Sequence, residues 1–493
     1  MPARRTTSQT NTKVSNRKKK KVVIKKGKGK QTKLIPTEPK AASILAKKYP
    51  DKYWQCHAQS GHEMINYINE DHPLELVGVD VHDHGPITGM ILSPDGTMLA
   101  TFCNVGTTKI WDTSDFKLIQ KLRDQEESNI DEFFVGRFTP DHTKIVVAGK
   151  LKDRTRWSYE DDDNHILPCP LKIFDCISGK VIAKLESHAE EVLFIKSVVF
   201  KGEPYYISTS QDGYIYRWKM QDDWTTLIEA KPMEDGITCM AFTVSFVPNT
   251  GNKYFLAATD EHIRLYDFEE AQLLQTFSDM YSQYCDCGKF IHPVVPLEEK
   301  PEEFVETEGA NGHTSKRTRQ RKYAYFISRG VEILDSDDGT VALRPNSCIL
   351  HKLIYPLKKG DPFTLKEVRR YQHKEYQSNS WLIKITSNGR YILAPTNTGK
   401  VLIFDLQTGA LTGVLHDHEE INPQLIDSEL EVRDVICHPW KPLLLTCADD
   451  GCVKVYTYEN TEEKLEDVIL TEVKDIPDDE SSSVQGSADC PVE

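Results

Sequence analysis

His188, Ser210 and Asp212 are the residue types of a nucleophilic triad, in which a base and a carboxylate activate a hydroxyl. Cys285, Cys287 and His292 are the residue types of a zinc site, with Asp286 between the two cysteines. Structural zinc sites are closed by four ligands, and no fourth is evident beside these three. Alternation along a strand would instead place Cys285 and Cys287 together on one apolar face. A Gly-rich phosphate loop, a nucleophile elbow and a His-Glu-x-x-His pair are all absent from the sequence. The chain is therefore expected to be no enzyme, with no catalytic residue, cofactor or metal site to assign.

Charge carries more information. Arg17, Lys18, Lys19, Lys20 and Lys21, followed by Lys25, Lys26, Lys28 and Lys30, form a basic run. Such runs direct nuclear import or touch a phosphate backbone without sequence preference. Residues 1–48 hold sixteen Lys and Arg against one acid, Glu38, so a segment near +15 is joined to a body near −29 within a net charge of −14. A second basic cluster runs from Lys316 to Lys322, just after an acidic stretch at 298–308.

The elements that must position these residues are short. Mean hydropathy is −0.49, and no run approaches the roughly 18 apolar residues of a membrane helix. The basic N-terminus is not followed by the apolar stretch of a secretory signal. Twelve cysteines are scattered, mostly in strand-like segments such as Thr101-Phe102-Cys103 and Leu445-Thr446-Cys447; this usage fits reduced core thiols in the cytosol or nucleus. Residues 1–48 are too polar to fold alone, and residues 459–493 are acidic and end in a Ser-rich stretch, so both read as disordered tails. Residues 74–458 between them are short β runs punctuated by turns.

Those runs repeat. Pro86 to Leu92, a Ser93-Pro94-Asp95-Gly96 turn, Met98 to Phe102 and Thr108 to Asp112 make one unit. The same order returns at Phe133–Asp175, Val192–Trp218, Ile237–Asp267, Tyr284–Tyr355, Trp381–Asp405 and Val432–Tyr456, giving seven units. Third strands end in an aromatic followed by Asp at Trp111-Asp112, Phe174-Asp175, Tyr266-Asp267 and Phe404-Asp405, and an Asp stands six residues before the aromatic in Asp212→Trp218, Asp260→Tyr266 and Asp450→Tyr456. His188 precedes Trp218, with Ser210 two before Asp212. In these features the chain resembles the WD-repeat family over about residues 74–458. The resemblance implies an all-β fold, a seven-bladed WD-repeat β-propeller flanked by the two tails. It also implies that His188, Ser210, Asp212 and Trp218 are a hydrogen-bonded set that pins one blade. Blade one departs from the pattern with Val105 at the Asp position, and blade five has no clear Asp–aromatic pair. The alternating strand Leu74 to Val81 is expected to complete the last blade, which removes both exposed edges.

In this architecture the loops entering each first strand and those between second and third strands open on one face. Several are acidic: Glu126, Glu127, Asp131 and Glu132; Glu190 and Glu191; Glu234 and Asp235; Glu419, Glu420, Asp427, Glu429 and Glu431. An insertion in blade two adds Glu160, Asp161, Asp162 and Asp163. One charge sign around a low-dielectric mouth attracts the opposite sign. The expected function is a non-enzymatic interaction scaffold in the nucleus, associated with chromatin and part of a multi-subunit complex. Its acidic face would hold a basic peptide such as a histone tail, and its N-terminal tail would contact nucleic acid non-specifically; no membrane role is expected. A ribosome-assembly or RNA-processing factor fits the tail equally well. A ubiquitin-ligase substrate receptor fits less well. Receptors of that kind usually carry Arg two residues after the aromatic–Asp pair, where this chain has Ser114, Ile177, Gln221, Glu269 and Gln407.

Overall fold

The turn at Ser93-Pro94-Asp95-Gly96 shows how the sequence breaks into strands. The Ser93 carbonyl accepts the Gly96 N–H at 2.8 Å, and the Ser93 hydroxyl accepts the Met98 N–H at 2.9 Å. Gly96 takes φ +72°, which costs a glycine nothing. Similar tight turns, such as Thr139 to His142 between the first two strands of the next sheet, join other strand pairs in the computed structural model. It describes residues 74–458 except 78, 128, 236–239, 261, 294–296, 298–321, 336–340, 344, 359, 379, 381, 419–429 and 439–442. The two tails, and with them Arg17 to Lys30, lie outside the described residues, as do Glu419, Glu420, Asp427, Glu429 and the second basic cluster up to Arg321.

The strands form seven four-stranded antiparallel sheets. The first strand of the chain is β1 (Leu74–Val77). Blade one is β2 (Ile87–Leu92), β3 (Met98–Cys103), β4 (Thr107–Asp112) and β5 (Leu118–Leu122). Blade two is β6 (Asp131–Phe138), β7 (Lys144–Leu151), β10 (Leu171–Asp175) and β11 (Val181–Leu185), with a separate hairpin of β8 (Thr155–Ser158) and β9 (Asp163–Ile166) inserted before its third strand. Blade three is β12 (Val192–Phe200), β13 (Glu203–Ser210), β14 (Ile215–Met220) and β15 (Leu227–Pro232). Blade four is β16 (Ala241–Phe246), β17 (Tyr254–Thr259), β18 (Ile263–Asp267) and β19 (Gln272–Phe277). Blade five is β20 (Cys285–Ile291), β21 (Tyr323–Gly330), β24 (Ser347–Ile354) and β25 (Thr364–Gln372), interrupted by a small hairpin of β22 (Ile333–Asp335) and β23 (Val341–Leu343). Blade six is β26 (Thr386–Ser387), β27 (Tyr391–Pro395), β28 (Val401–Asp405) and β29 (Leu411–Leu415). Blade seven is β30 (Val432–Cys437), β31 (Leu444–Ala448) and β32 (Val453–Tyr458), and β1 is its fourth strand, with Leu74 opposite Tyr458. Closure by β1 leaves no blade short of a strand. The described residues contain no helix.

First strands of neighbouring blades touch one another, which places them around the axis. Second and third strands are almost wholly buried, as in β17 and β18. Outer strands alternate, as β19 does from Gln272 to Phe277, with one face packed and the other wet. Apolar cores fill the spaces between blades. Between blades three and four Phe200, Phe246, Phe255, Tyr266 and Phe268 pack together, and the rings of Phe255 and Tyr266 stack at 5.0 Å.

One feature recurs along the inner wall. The pairing register slips by one residue near the start of β2, β6, β12, β16, β20 and β30, at Thr88, Phe134, Leu193, Phe242, Asp286 and Arg433. A bulge reverses the alternation that follows it. That corrects the expectation for Cys285 and Cys287. They do not share a face, because Cys285 packs among blade-four residues such as Leu256 and Leu265, and Cys287 among blade-six residues such as Ile385 and Leu402. Asp286 between them is buried against the Arg329 guanidinium.

Candidate functional site

The triad-like residues make a relay inside blade three. His188 is fully buried, with Nδ1 2.9 Å from Asp212 Oδ2 and Nε2 2.8 Å from the Ser208 hydroxyl. The Trp218 indole N–H donates to the same hydroxyl at 2.7 Å. The Asp212 carboxylate only accepts, so Nδ1–H donates to it; a neutral imidazole then offers Nε2 as an acceptor to the Ser208 hydroxyl, which itself accepts from the Trp218 indole. The expected serine was Ser210, and the structure replaces it with Ser208. Ser210 instead gives its hydroxyl to the Glu190 carbonyl and accepts the Asp212 N–H. Trp218 faces Tyr206 across the sheet, so its ring reaches the residue two further along β13. A hydroxyl buried and bonded on both sides is a strut, not an accessible nucleophile.

Two other blades carry versions that the sequence hid. In blade seven His418 Nδ1 lies 2.8 Å from Asp450 Oδ2 and Nε2 2.8 Å from Thr446 Oγ1, with Tyr456 at the indole position. In blade five the Tyr281 hydroxyl meets Ser328 at 2.8 Å, and Ser328 meets His351 Nε2 at 2.7 Å. A tyrosine stands where blade three has its histidine, and a histidine where it has its indole. Burial, aided by the Arg370 charge, pulls His351 down to about 3, so the ring is neutral.

Blades one and two use ions, although in blade one the Trp111 indole still donates to the Thr101 hydroxyl at 3.1 Å. Lys109 sits 3.3 Å from Asp83. Lys172, at the matching position of β10, is buried with Nζ 2.8 Å from each of Asp124, Glu127 and Asp131, while Lys184 adds a second cation at 3.0 Å from Asp124. Burial would push the Asp124 carboxyl up, but hydrogen bonds from Lys172 and Lys184 outweigh it and hold the group at about 2. Asp131, more deeply enclosed, is pushed up by burial, with Asp124 and Glu127 adding to the rise.

These pairs reshape the acidic face. Glu127 and Asp131 neutralise Lys172, Glu132 meets Lys150 and Lys152, Asp235 accepts the Tyr266 hydroxyl, and Glu431 meets Arg433. Among the described residues, Glu127, Asp131, Glu132 and Glu431 are thus matched by the protein's own cations, while Glu126 and Glu234 stay exposed.

The blade-two hairpin is different. Its base is tied down by Arg154, which pairs with Glu190 at 2.6 Å and donates to the Ala189 carbonyl, and by Arg156, 3.3 Å from Glu127. These ties place it on the face of the loops between blades. At its tip Asp161 meets His165 at 2.5 Å. Glu160, Asp162 and Asp163 are exposed and have no ion-pair partner among the described residues. Beside them stand Trp157, Tyr159 and Ile166, at 48, 92 and 73% exposure. Sequence reading found the acids and missed the apolar side chains. The signal was present, because Trp157 and Tyr159 alternate with polar residues ahead of the acidic turn.

The family model described as "WD domain, G-beta repeat" matches residues 424–457, the blade-seven repeat that holds Asp450 and Tyr456. The fold is similar to that of the β-propeller domain of Cps50 (Swd1) from Myceliophteria thermophila, with a TM-score of 0.52 and 14% identity over 78% of this chain and 100% of that one. The chain is a seven-bladed β-propeller whose last blade carries a WD repeat. No curated protein matches its sequence. WD-repeat propellers serve in general as non-enzymatic scaffolds for protein interactions. On this propeller, the blade-two hairpin groups exposed aromatic and acidic side chains among the described residues.

Proposed function

We propose that the protein is a non-enzymatic scaffold of a nuclear, chromatin-associated complex that holds a basic, partly apolar peptide of the histone-tail type on its β8–β9 hairpin. The observation that carries this is the pairing of unneutralised acids at the hairpin tip with exposed Trp157, Tyr159 and Ile166. Large aromatic side chains dominate binding energy at interfaces, and charge complementarity speeds encounter. The rigid base matters too, since a pre-ordered hairpin loses little freedom on binding. The basic run from Arg17 to Lys30 supports the nuclear part and a contact with nucleic acid.

The test is titration of a histone-type basic peptide by fluorescence anisotropy at two salt concentrations. Replacing Asp161, Asp162 and Asp163 with Ser should weaken binding about tenfold at low salt and flatten its salt dependence. Trp157→Ala should weaken it at both salts, by about 1–2 kcal/mol. Neither change should lower the melting temperature. Equal affinity for wild type and both variants would sink the proposal.

A further inference from the structure

The inner wall carries a second charge pattern, independent of the hairpin. Arg137 of β6, Lys196 of β12 and Lys289 of β20 stand at one level, each the third residue past the bulge of its strand. Lys384, just before β26, and Asp434 of β30 lie beside them, with Lys384 Nζ 3.2 Å from Asp434 Oδ2. The charges of Arg137 and Lys289 both act on Lys196, and Asp434 acts on Arg137 and Lys289. Residues of blades two, three, five and seven influence one another because all four face the axis.

Their bonds leave a surplus of positive charge. Asp434 is already engaged by Lys384 and accepts the Met90 N–H at 3.4 Å. Lys289 donates to the Thr386 hydroxyl at 2.9 Å. Arg137 donates to the Gly136 carbonyl and lies 5.1 Å over the Phe194 ring. Lys196 lies 5.9 Å from the centre of the Phe246 ring, and no hydrogen bond or ion pair to it occurs among the described residues. Like charges held close in an enclosed space disfavour one another. Burial and then the Arg137 and Lys289 charges pull Lys196 down to about 8, and burial brings Arg137 down to about 10. The blade-two cluster shows the contrast, since the buried Lys172 is met by three carboxylates.

We propose that Arg137, Lys196 and Lys289 form a binding site on the propeller axis for a small multivalent oxyanion of the phosphate class. Guanidinium and ammonium groups converging from three blades match an anion with several oxygens better than a halide, which would offset one of them. An anion there balances the surplus and ties separate blades together through a common ligand. The site would therefore couple stability to the supply of a phosphate compound.

The test uses the full chain, with inorganic phosphate, pyrophosphate, inositol hexakisphosphate and chloride at matched ionic strength, followed by thermal melting and calorimetry. At least one phosphate compound should raise the melting temperature saturably while chloride does not, and the three arms distinguish a monophosphate site from a polyphosphate site. Lys196→Met with Lys289→Met should melt no lower than wild type without phosphate, and should bind about tenfold or more weakly. Lys196→Met alone breaks no hydrogen bond and provides the same readout should the pair fold poorly. Lys180→Met, on the exposed surface, should respond like wild type. The basic N-terminal tail is present in every variant and cancels from the comparison. A response that is equal in wild type and the axis variants, or no saturable binding of any of the three phosphate compounds to wild type, overturns the site.

Discussion

Along Trp218, Ser208, His188 and Asp212 every hydrogen bond has one permitted direction, so the cost of removing each atom differs. Ser208→Ala leaves the Trp218 N–H without an acceptor and His188 Nε2 without a donor, at about 1–3 kcal/mol for each orphaned group. Asp212→Ala strips the partner of His188 Nδ1 and of the Ala189 N–H, with a similar cost. Ser210→Ala, by contrast, should cost less than about 1 kcal/mol, because it leaves the Trp218, Ser208, His188 and Asp212 side-chain bonds intact and removes only contacts to two backbone groups of a part-buried turn. Urea melts of the three variants check the order, and Ser210→Ala proving the most damaging would refute it. Burial pushes the Asp212 carboxyl up, but the hydrogen bonds it accepts from His188 and from the Tyr214 and Ala189 N–H groups prevail and hold it below its ordinary value. Its contribution is thus present above about pH 4 and lost as the pH falls through the lowered value. Linear spacing pointed to Ser210 because the tight turn keeps a fixed count from Asp212. The hydroxyl that reaches an indole is set by cross-strand register, which a residue count does not contain. His418 escaped notice for the same reason, as 32 residues separate it from Asp450 where 24 separate His188 from Asp212.

At the scale of single blades, the sequence announced strands and turns but not how each blade secures its loops. Repeated β runs and Asp-Gly turns were legible because they depend on neighbours in the chain. The cluster around Lys172 was not, because its acids come from the loop before β6 and the first residue of that strand, where Glu127 and Asp131 looked like surface charge. Lys172→Met makes that difference measurable. It leaves three carboxylates beside Lys184 and should cost about 3–5 kcal/mol at pH 7. The pH response should also change sign. In wild type, Asp124 at about 2 contributes stability that is lost as pH falls below 4, with the raised Asp131 acting in the opposite direction. Without Lys172 the enclosed carboxyls take up protons more readily folded than unfolded, so stability should rise as pH falls from 7 to 5. Denaturant melts at both pH values decide it. A variant that weakens further at pH 5 would return these acids to the surface.

The whole ring depends on one distant pairing, that of β1 with β32. Deleting residues 1–48 should leave the melting temperature unchanged and abolish nuclear accumulation of a fluorescently tagged chain. Deleting residues 1–77 removes β1 as well, exposes the edge of β32, and should lower the melting temperature and promote aggregation. Equal melting of the two truncations would deny β1 its closing role. That pairing also has a consequence in time. Leu74 leaves the ribosome 384 residues ahead of Tyr458. At about 5–20 residues per second, β1 waits roughly 20–80 s for its partner. Throughout that interval the nascent chain carries an unsatisfied strand at its leading end and an open seam at its growing end, both able to pair with a neighbouring polysome's product.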